Sequence, residues 1–138
     1  MAKEVASNAT FAGTSETLVY TKNGFVYAYS AALDANTVQG TLLDFNTGSD
    51  FICAKFYYSG YMGPDGNSAS NGLRGIGSIY FNNVRVYQIM VDTDSGNMAQ
   101  TYIPKLMIPP HTQVTVKTAT VQDTSDYVVQ CAIKGMIV

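Results

Sequence analysis

The single histidine, His111, stands directly after Pro109-Pro110 and is the chain's one imidazole candidate for a general base or a zinc ligand. Nucleophilic catalysis would require it to meet a nucleophile and an orienting carboxylate, and no Gly-x-Ser-x-Gly elbow or comparable motif is present. One imidazole cannot build a multi-histidine zinc site within one chain. His111 therefore reads as a turn residue, solvated or in an interface. Asp92-Thr93-Asp94-Ser95-Gly96-Asn97 opens like a calcium loop, because two carboxylates at spacing two can face one ion. It then departs from the pattern: Asn97 stands at the sixth position in place of Gly and Ile103 at the twelfth in place of a bidentate Glu. Asp65-Gly66-Asn67 is a weaker version of the same polar turn. Gly75-Ile76-Gly77 lies in a glycine-rich run, but Tyr80 stands where a dinucleotide fingerprint needs a third Gly. The acidic residues are scattered, and nothing singles out a pair for glycoside hydrolysis. These readings predict a non-enzymatic protein with no cofactor and no metal.

The constellation with most to offer is aromatic: Phe56, Tyr57, Tyr58 and Tyr61, followed by Met62. Tyrosine and methionine supply large contact areas with a polar handle or an adaptable thioether, which suits interface centres. Strand alternation divides the tyrosines and phenylalanine, assigning Phe56 and Tyr58 to the core and Tyr57 and Tyr61 to an interface, to which Met62 is added for its thioether. A tyrosine platform can also stack sugars. Cys53 and Cys131 are the whole thiol inventory. Ile52, Ala54 and Phe56 form the inward set around Cys53 and turn it outward, whereas Cys131 shares an apolar face with Val129 and Ile133. Two reduced cysteines are expected.

The elements that must carry these residues are strands. Period-two runs separated by turn residues dominate, and no window shows a convincing helical period. Residues 17–21 and 25–32 flank a Lys22-Asn23-Gly24 turn, and Asn-Gly is a strong short hairpin signal. Residues 37–45 and 51–59 flank the five-residue run Asn46-Thr47-Gly48-Ser49-Asp50, whose length suits a longer hairpin connection. Residues 60–77, with six glycines, read as a long loop of the kind that is functional or disordered. Residues 78–81 and 84–92 flank Asn82-Asn83, a two-residue turn in which Asn tolerates positive φ. Pro104 interrupts residues 102–108 and places them at a sheet edge or a bulge. Residues 113–121 and 127–138 alternate most cleanly. Eight to ten short strands without intervening helices predict an all-β fold, an antiparallel two-sheet sandwich of jelly-roll type spanning residues 16–138. Residues 1–15, small and polar with Val5 and Phe11 as apolar anchors, are expected to be an extended N-terminal arm.

Within 84–92 both faces are apolar, with Val84, Val86 and Met90 on one and Tyr87, Ile89 and Val91 on the other. One face is expected inside the sandwich, and Tyr87, Ile89 and Val91 are read as contacts to a neighbour. Composition points the same way. Only 13% of residues are charged, against an average of about 25%, and a weakly charged surface rich in tyrosine suits burial against other chains. Eight basic and ten acidic residues leave a net charge of −2, and no Lys/Arg cluster occurs along the chain, so nucleic-acid binding is not expected. No signal-like or membrane-length apolar run is found, so neither secretion nor membrane insertion is expected.

The segments Ile79-Tyr80-Phe81-Asn82-Asn83-Val84-Arg85-Val86 and Leu106-Met107-Ile108-Pro109-Pro110-His111-Thr112-Gln113-Val114-Thr115-Val116, with the Gly135-Met136-Ile137-Val138 tail, resemble the small jelly-roll virion structural proteins of tailed phages. The resemblance is one of pattern and covers about residues 38–138. It implies a capsid decoration or cement protein made in the host cytoplasm and carried in the virion. Such a protein forms homotrimers or other symmetric oligomers on the major capsid protein and performs no chemistry. Related jelly rolls in tails and baseplates imply the alternative, a receptor- or glycan-binding module. The arm carrying Val5 and Phe11 is similar in kind to the arms with which cement proteins link neighbours.

Overall fold

In the computed structural model of the protein, the described residues are 18–30, 33–34, 40–62, 73–93, 100–120 and 127–138. They contain eleven strands: β1 (Val19–Tyr20), β2 (Phe25–Tyr29), β3 (Leu33–Asp34), β4 (Gly40–Asn46), β5 (Ile52–Met62), β6 (Leu73–Phe81), β7 (Val84–Thr93), β8 (Gln100–Tyr102), β9 (Lys105–Ile108), β10 (Gln113–Thr120) and β11 (Tyr127–Ile137). The expected arm, with Val5 and Phe11, lies outside the described residues. All pairings are antiparallel. One sheet runs β1-β2-β11-β5-β8, with β3 also on β11 and β9 also on β5, and the other runs β4-β10-β6-β7.

The connectivity is that of a rolled ribbon. β6 and β7 form the tip hairpin, and moving outward along the chain β5 pairs with β8 and β9, β4 with β10, and β2 with β11. Successive pairs alternate between the two sheets, which is the jelly-roll arrangement of an antiparallel sandwich. The expected fold class is therefore found.

Alternation explains the core. Val26 and Ala28 on β2, Ile52, Ala54, Phe56 and Tyr58 on β5, and Val129, Cys131 and Ile133 on β11 face inward. Leu43, Phe45, Val114, Val116 and Ile79 meet them from the other sheet. Leu42 is buried beside Leu43 because the β4/β10 register slips there, with Val116 opposite Leu43 and Lys117 opposite Thr41. Two successive leucines thus serve one core, which strict alternation forbids.

Asn82 and Asn83 join β6 to β7 with φ of 49° and 65°, as a two-residue hairpin of the primed type requires. The register between β5 and the β8/β9 edge continues unchanged through Ile103-Pro104, from Tyr58 opposite Tyr102 to Lys55 opposite Lys105. The Pro104 carbonyl still accepts from the Phe56 amide at 2.9 Å. Phe56 and Pro104 thus form a hydrogen-bonded pair in which proline forfeits the reciprocal bond to the Phe56 carbonyl, a loss tolerated on the edge strand expected from sequence.

Two expectations are corrected. Residues 46–50 do not close a hairpin, since β4 and β5 lie in different sheets. They form an arch between layers beside the 109–112 crossover that carries the chain back from β9 to β10. Thr47, buried, stitches the two together. Its amide donates to the Thr112 carbonyl at 2.9 Å, its hydroxyl donates to the Pro109 carbonyl at 3.0 Å, and its Oγ1 accepts from the Thr112 amide at 2.9 Å. The glycine-rich run 60–77 is also not one long loop. Its two ends belong to β5, which extends to Met62, and β6, which starts at Leu73.

Gly77 shows why a glycine stands inside β6. A Cβ there would lie 2.7 Å from Cε2 of Tyr58, whose ring crosses the sandwich and shares a 2.6 Å hydrogen bond with Thr118 Oγ1 on β10. Burial pushes the Tyr58 phenol up to about 12, with Thr118 opposing the shift, and burial likewise pushes the Cys131 thiol up to about 12. Both groups are neutral when folded and ionise more readily in the unfolded chain. Their contribution to stability is therefore complete below the unfolded values, near 9 to 10, and declines as pH rises toward 12. Thermal melts should hold level to about pH 9 and then fall steadily. A flat profile through pH 11 would contradict this burial.

Candidate functional site

His111 is exposed at the 109–112 crossover with φ of 53°, and its amide donates to the Gly48 carbonyl at 2.8 Å. Its backbone thus helps lock the arch. Among the described residues no three His, Cys, Asp or Glu side chains come together as a metal site. Cys53 and Cys131 are both free thiols on opposite faces of one sheet, Cys53 half-buried and Cys131 buried.

Two surfaces stand out instead. The first is the edge strand β7, which pairs with β6 alone. Residues 84–88 are exposed without interruption, with Val84 at 65%, Val86 at 41% and Tyr87 at 42%. The register shifts between Ile79 and Tyr80, so that Tyr87 opposes Ile79 and Arg85 opposes Tyr80, leaving Val86 as the extra residue of a bulge. Neither face of this half-strand is covered among the described residues.

Ile89, expected to contact a neighbour, is instead a core residue at 3% exposure. Inward alternation holds as far as Ile89, while Tyr87, nominally on the same face, lies open. The expected division of β7 into one buried and one interface face therefore becomes a division along its length. Val91 is paired opposite Gly75, and its side chain lies outside the described set.

The second surface is the outer face of the larger sheet. Cross-strand pairing arranges its outward residues in rows. Phe25 opposes Met136, Met136 opposes Cys53 and Cys53 opposes Met107; in the next row Tyr27 opposes Lys134, Lys134 opposes Lys55 and Lys55 opposes Lys105. In the third, Tyr29 opposes Ala132 and Ala132 opposes Tyr57. Three lysines are thus directly adjacent across β11, β5 and β9, at a strand spacing of about 4.8 Å. Among the described residues no carboxylate pairs with them. Lys134 Nζ lies 5.5 Å from the centre of the Tyr57 ring, a cation–π contact.

A cavity of about 480 Å³ opens along the lysine row, lined by Phe25, Cys53, Tyr57, Met136 and the three lysines among others. A smaller hollow of about 200 Å³ adjoins it at Tyr57, floored by Ala132 between Tyr57 and Tyr29 and rimmed by Ser30, Ser59 and Gln130. Of the expected aromatic interface, Tyr57 is half-buried on this face, while Phe56 and Tyr58 are core as expected. Tyr61 and Met62 pair opposite Val128 and Tyr127 at the far end of β5; their side chains lie outside the described set. The lysine row escaped the sequence reading because its members sit on three distant segments. Only the register of β11 and β9 against β5 brings them together.

No protein-family model matches the sequence, and no curated protein matches it. Among solved structures, the fold is similar to the infectious bursal disease virus VP2 subviral particle, with TM-score 0.54 and 14% identity over 86% of this chain and 33% of that one. It is also similar to dimeric latent PorU from Porphyromonas gingivalis, with TM-score 0.51 and 10% identity over 79% of this chain and 11% of that one. The chain spans a third or less of the length of either protein. At these identities the likeness is one of fold alone.

Proposed function

We propose that the chain is a non-enzymatic structural protein of a phage virion, a capsid decoration protein that self-associates as a trimer or other symmetric oligomer and reinforces the shell on the major capsid protein. The observation that carries this reading is the edge of β7, uncovered among the described residues. An edge strand that presents Val84, Val86 and Tyr87 to solvent offers unpaired backbone groups and hydrophobic contact to a second chain, and natural monomers blunt such edges with charge or cover. The jelly-roll fold, shared with the VP2 of a subviral particle, supports it.

The expected result is an oligomer in light scattering at micromolar concentration, reduced to a monomer by Val84→Lys with Val86→Lys at an unchanged melting temperature. Both side chains are exposed, so the substitutions leave the core intact. On purified virions, labelling should decorate the shell. A wild-type chain that stays monomeric and labels no particle would overturn the reading. A second reading, a tail or baseplate module that binds a receptor or glycan, is favoured by the lysine and tyrosine face of the larger sheet.

A further inference from the structure

We propose that the outer face of the larger sheet binds an acidic saccharide, with a sugar ring in the hollow between Tyr29 and Tyr57 and its acidic group on the row Lys134, Lys55 and Lys105. The inference rests on this face alone and holds whether the protein sits on a shell or a tail.

Three features carry it. Like charges directly opposite one another across strands are destabilising, yet three lysines occupy successive places in one row, in a chain with eight basic residues in all. Among the described residues no carboxylate neutralises them, and a bound anion would relieve the repulsion between the three like charges. The cavity is an open groove, otherwise apolar, of a size that seats a small ligand. The adjoining hollow has what a pyranose requires: two tyrosine rings on either side, the small floor of Ala132 and a polar rim that includes the exposed amide of Gln130. Tyr57 belongs to both spaces, so one ligand can occupy them together. A simple phosphate would use the lysines and leave the tyrosine hollow empty. An acidic peptide or a single-stranded nucleic acid would answer the charge, but neither explains a narrow hollow with a polar rim.

The test is calorimetric or amide-shift titration of the intact protein with 3′-sialyllactose and trigalacturonate as acidic probes. Lactose, inorganic phosphate, an Asp/Glu-rich hexapeptide and a short oligothymidine serve as comparisons. An acidic saccharide should bind roughly tenfold more tightly than lactose, in line with charge-assisted contacts. Binding should weaken as salt is raised from about 50 to 300 mM. Lys55→Gln and Lys134→Gln should each lower the affinity by roughly fivefold or more, and Tyr57→Ala should lower it as well. The lysine variants relieve repulsion, so they should melt no lower than the wild type, which separates lost binding from lost folding. The proposal fails if neither acidic saccharide binds better than lactose. It fails equally if the lysine variants bind undiminished, or if phosphate, the peptide or the oligothymidine binds as tightly with the same lysine dependence. None of these failures would bear on oligomerisation through β7.

Discussion

Thr47→Val should destabilise the protein by roughly 1–3 kcal/mol, although valine has nearly the same shape and the position lies in a connecting arch. The hydroxyl of Thr47 is both donor and acceptor between two crossovers, meeting the Pro109 carbonyl at 3.0 Å and the Thr112 amide at 2.9 Å. Valine leaves the Thr112 amide buried and without this partner, at about 1–3 kcal/mol for an unsatisfied group, and takes a donor from the part-buried Pro109 carbonyl, which can turn to water. Hydrophobic gain from the extra methyl is smaller, about 0.8 kcal/mol. Thr47→Ser keeps the hydroxyl and should lose much less. Urea unfolding of the three proteins checks this, and a valine variant within 0.5 kcal/mol of the wild type, the usual spread for an inconsequential surface change, would show that the stitch contributes nothing.

Gly77→Ala is the second large effect, a loss of roughly 1–3 kcal/mol from one added methyl. The new Cβ would stand 2.7 and 2.9 Å from two atoms of the Tyr58 ring, and the ring has little room to yield because it is fully buried and its hydroxyl is tied to Thr118. Elsewhere in a chain Gly→Ala can gain about 0.4–1 kcal/mol through the unfolded state; here the overlap outweighs it. Tyr58→Leu removes the obstructing ring, so alanine at 77 should be tolerated in that background. The expected signature in a double-mutant cycle is a coupling of about 0.5–3 kcal/mol. Additive losses would mean that Gly77 answers to some other neighbour.

Much of the fold was legible because alternation is a local signal. The inward set Ile52, Ala54 and Phe56, the outward Cys53, the Asn82-Asn83 turn and the edge position around Pro104 all follow from residues within one strand or turn. The errors share a cause, which is that their resolution lies on another strand. The composition of residues 46–50 suits a hairpin and an arch equally, and the partner that decides, the 109–112 crossover, is far along the chain. Gly75 and Gly77 look like loop residues until Tyr58 is placed across from Gly77. Ile89 was assigned to an interface by extending one period along all of β7, whereas exposure changes partway along the strand, next to a bulge. The lysine row is the extreme case: absence of a basic run in the sequence was a true observation, but it says nothing about charges that pairing aligns.

The rolled ribbon also sets when the chain can fold. Only β6 and β7 are neighbours both in the sequence and as a long pair in space; β4 waits for β10, and β2 waits for β11, with Phe25 finally opposite Met136. A ribosome adds about 5–20 residues per second, N-terminus first, so β2, β4 and β5 emerge well before the strands that complete their ladders. β11 lies between β2 and β5 in the interior of its sheet, which means a strand made long after both is the one that joins them. Emergence of β11, and not the appearance of any earlier segment, is then the event that permits folding. Until that moment the unpaired early strands are open to pairing with other nascent copies, so the rate of synthesis and the density of ribosomes on one message set how much of the product is lost to aggregation.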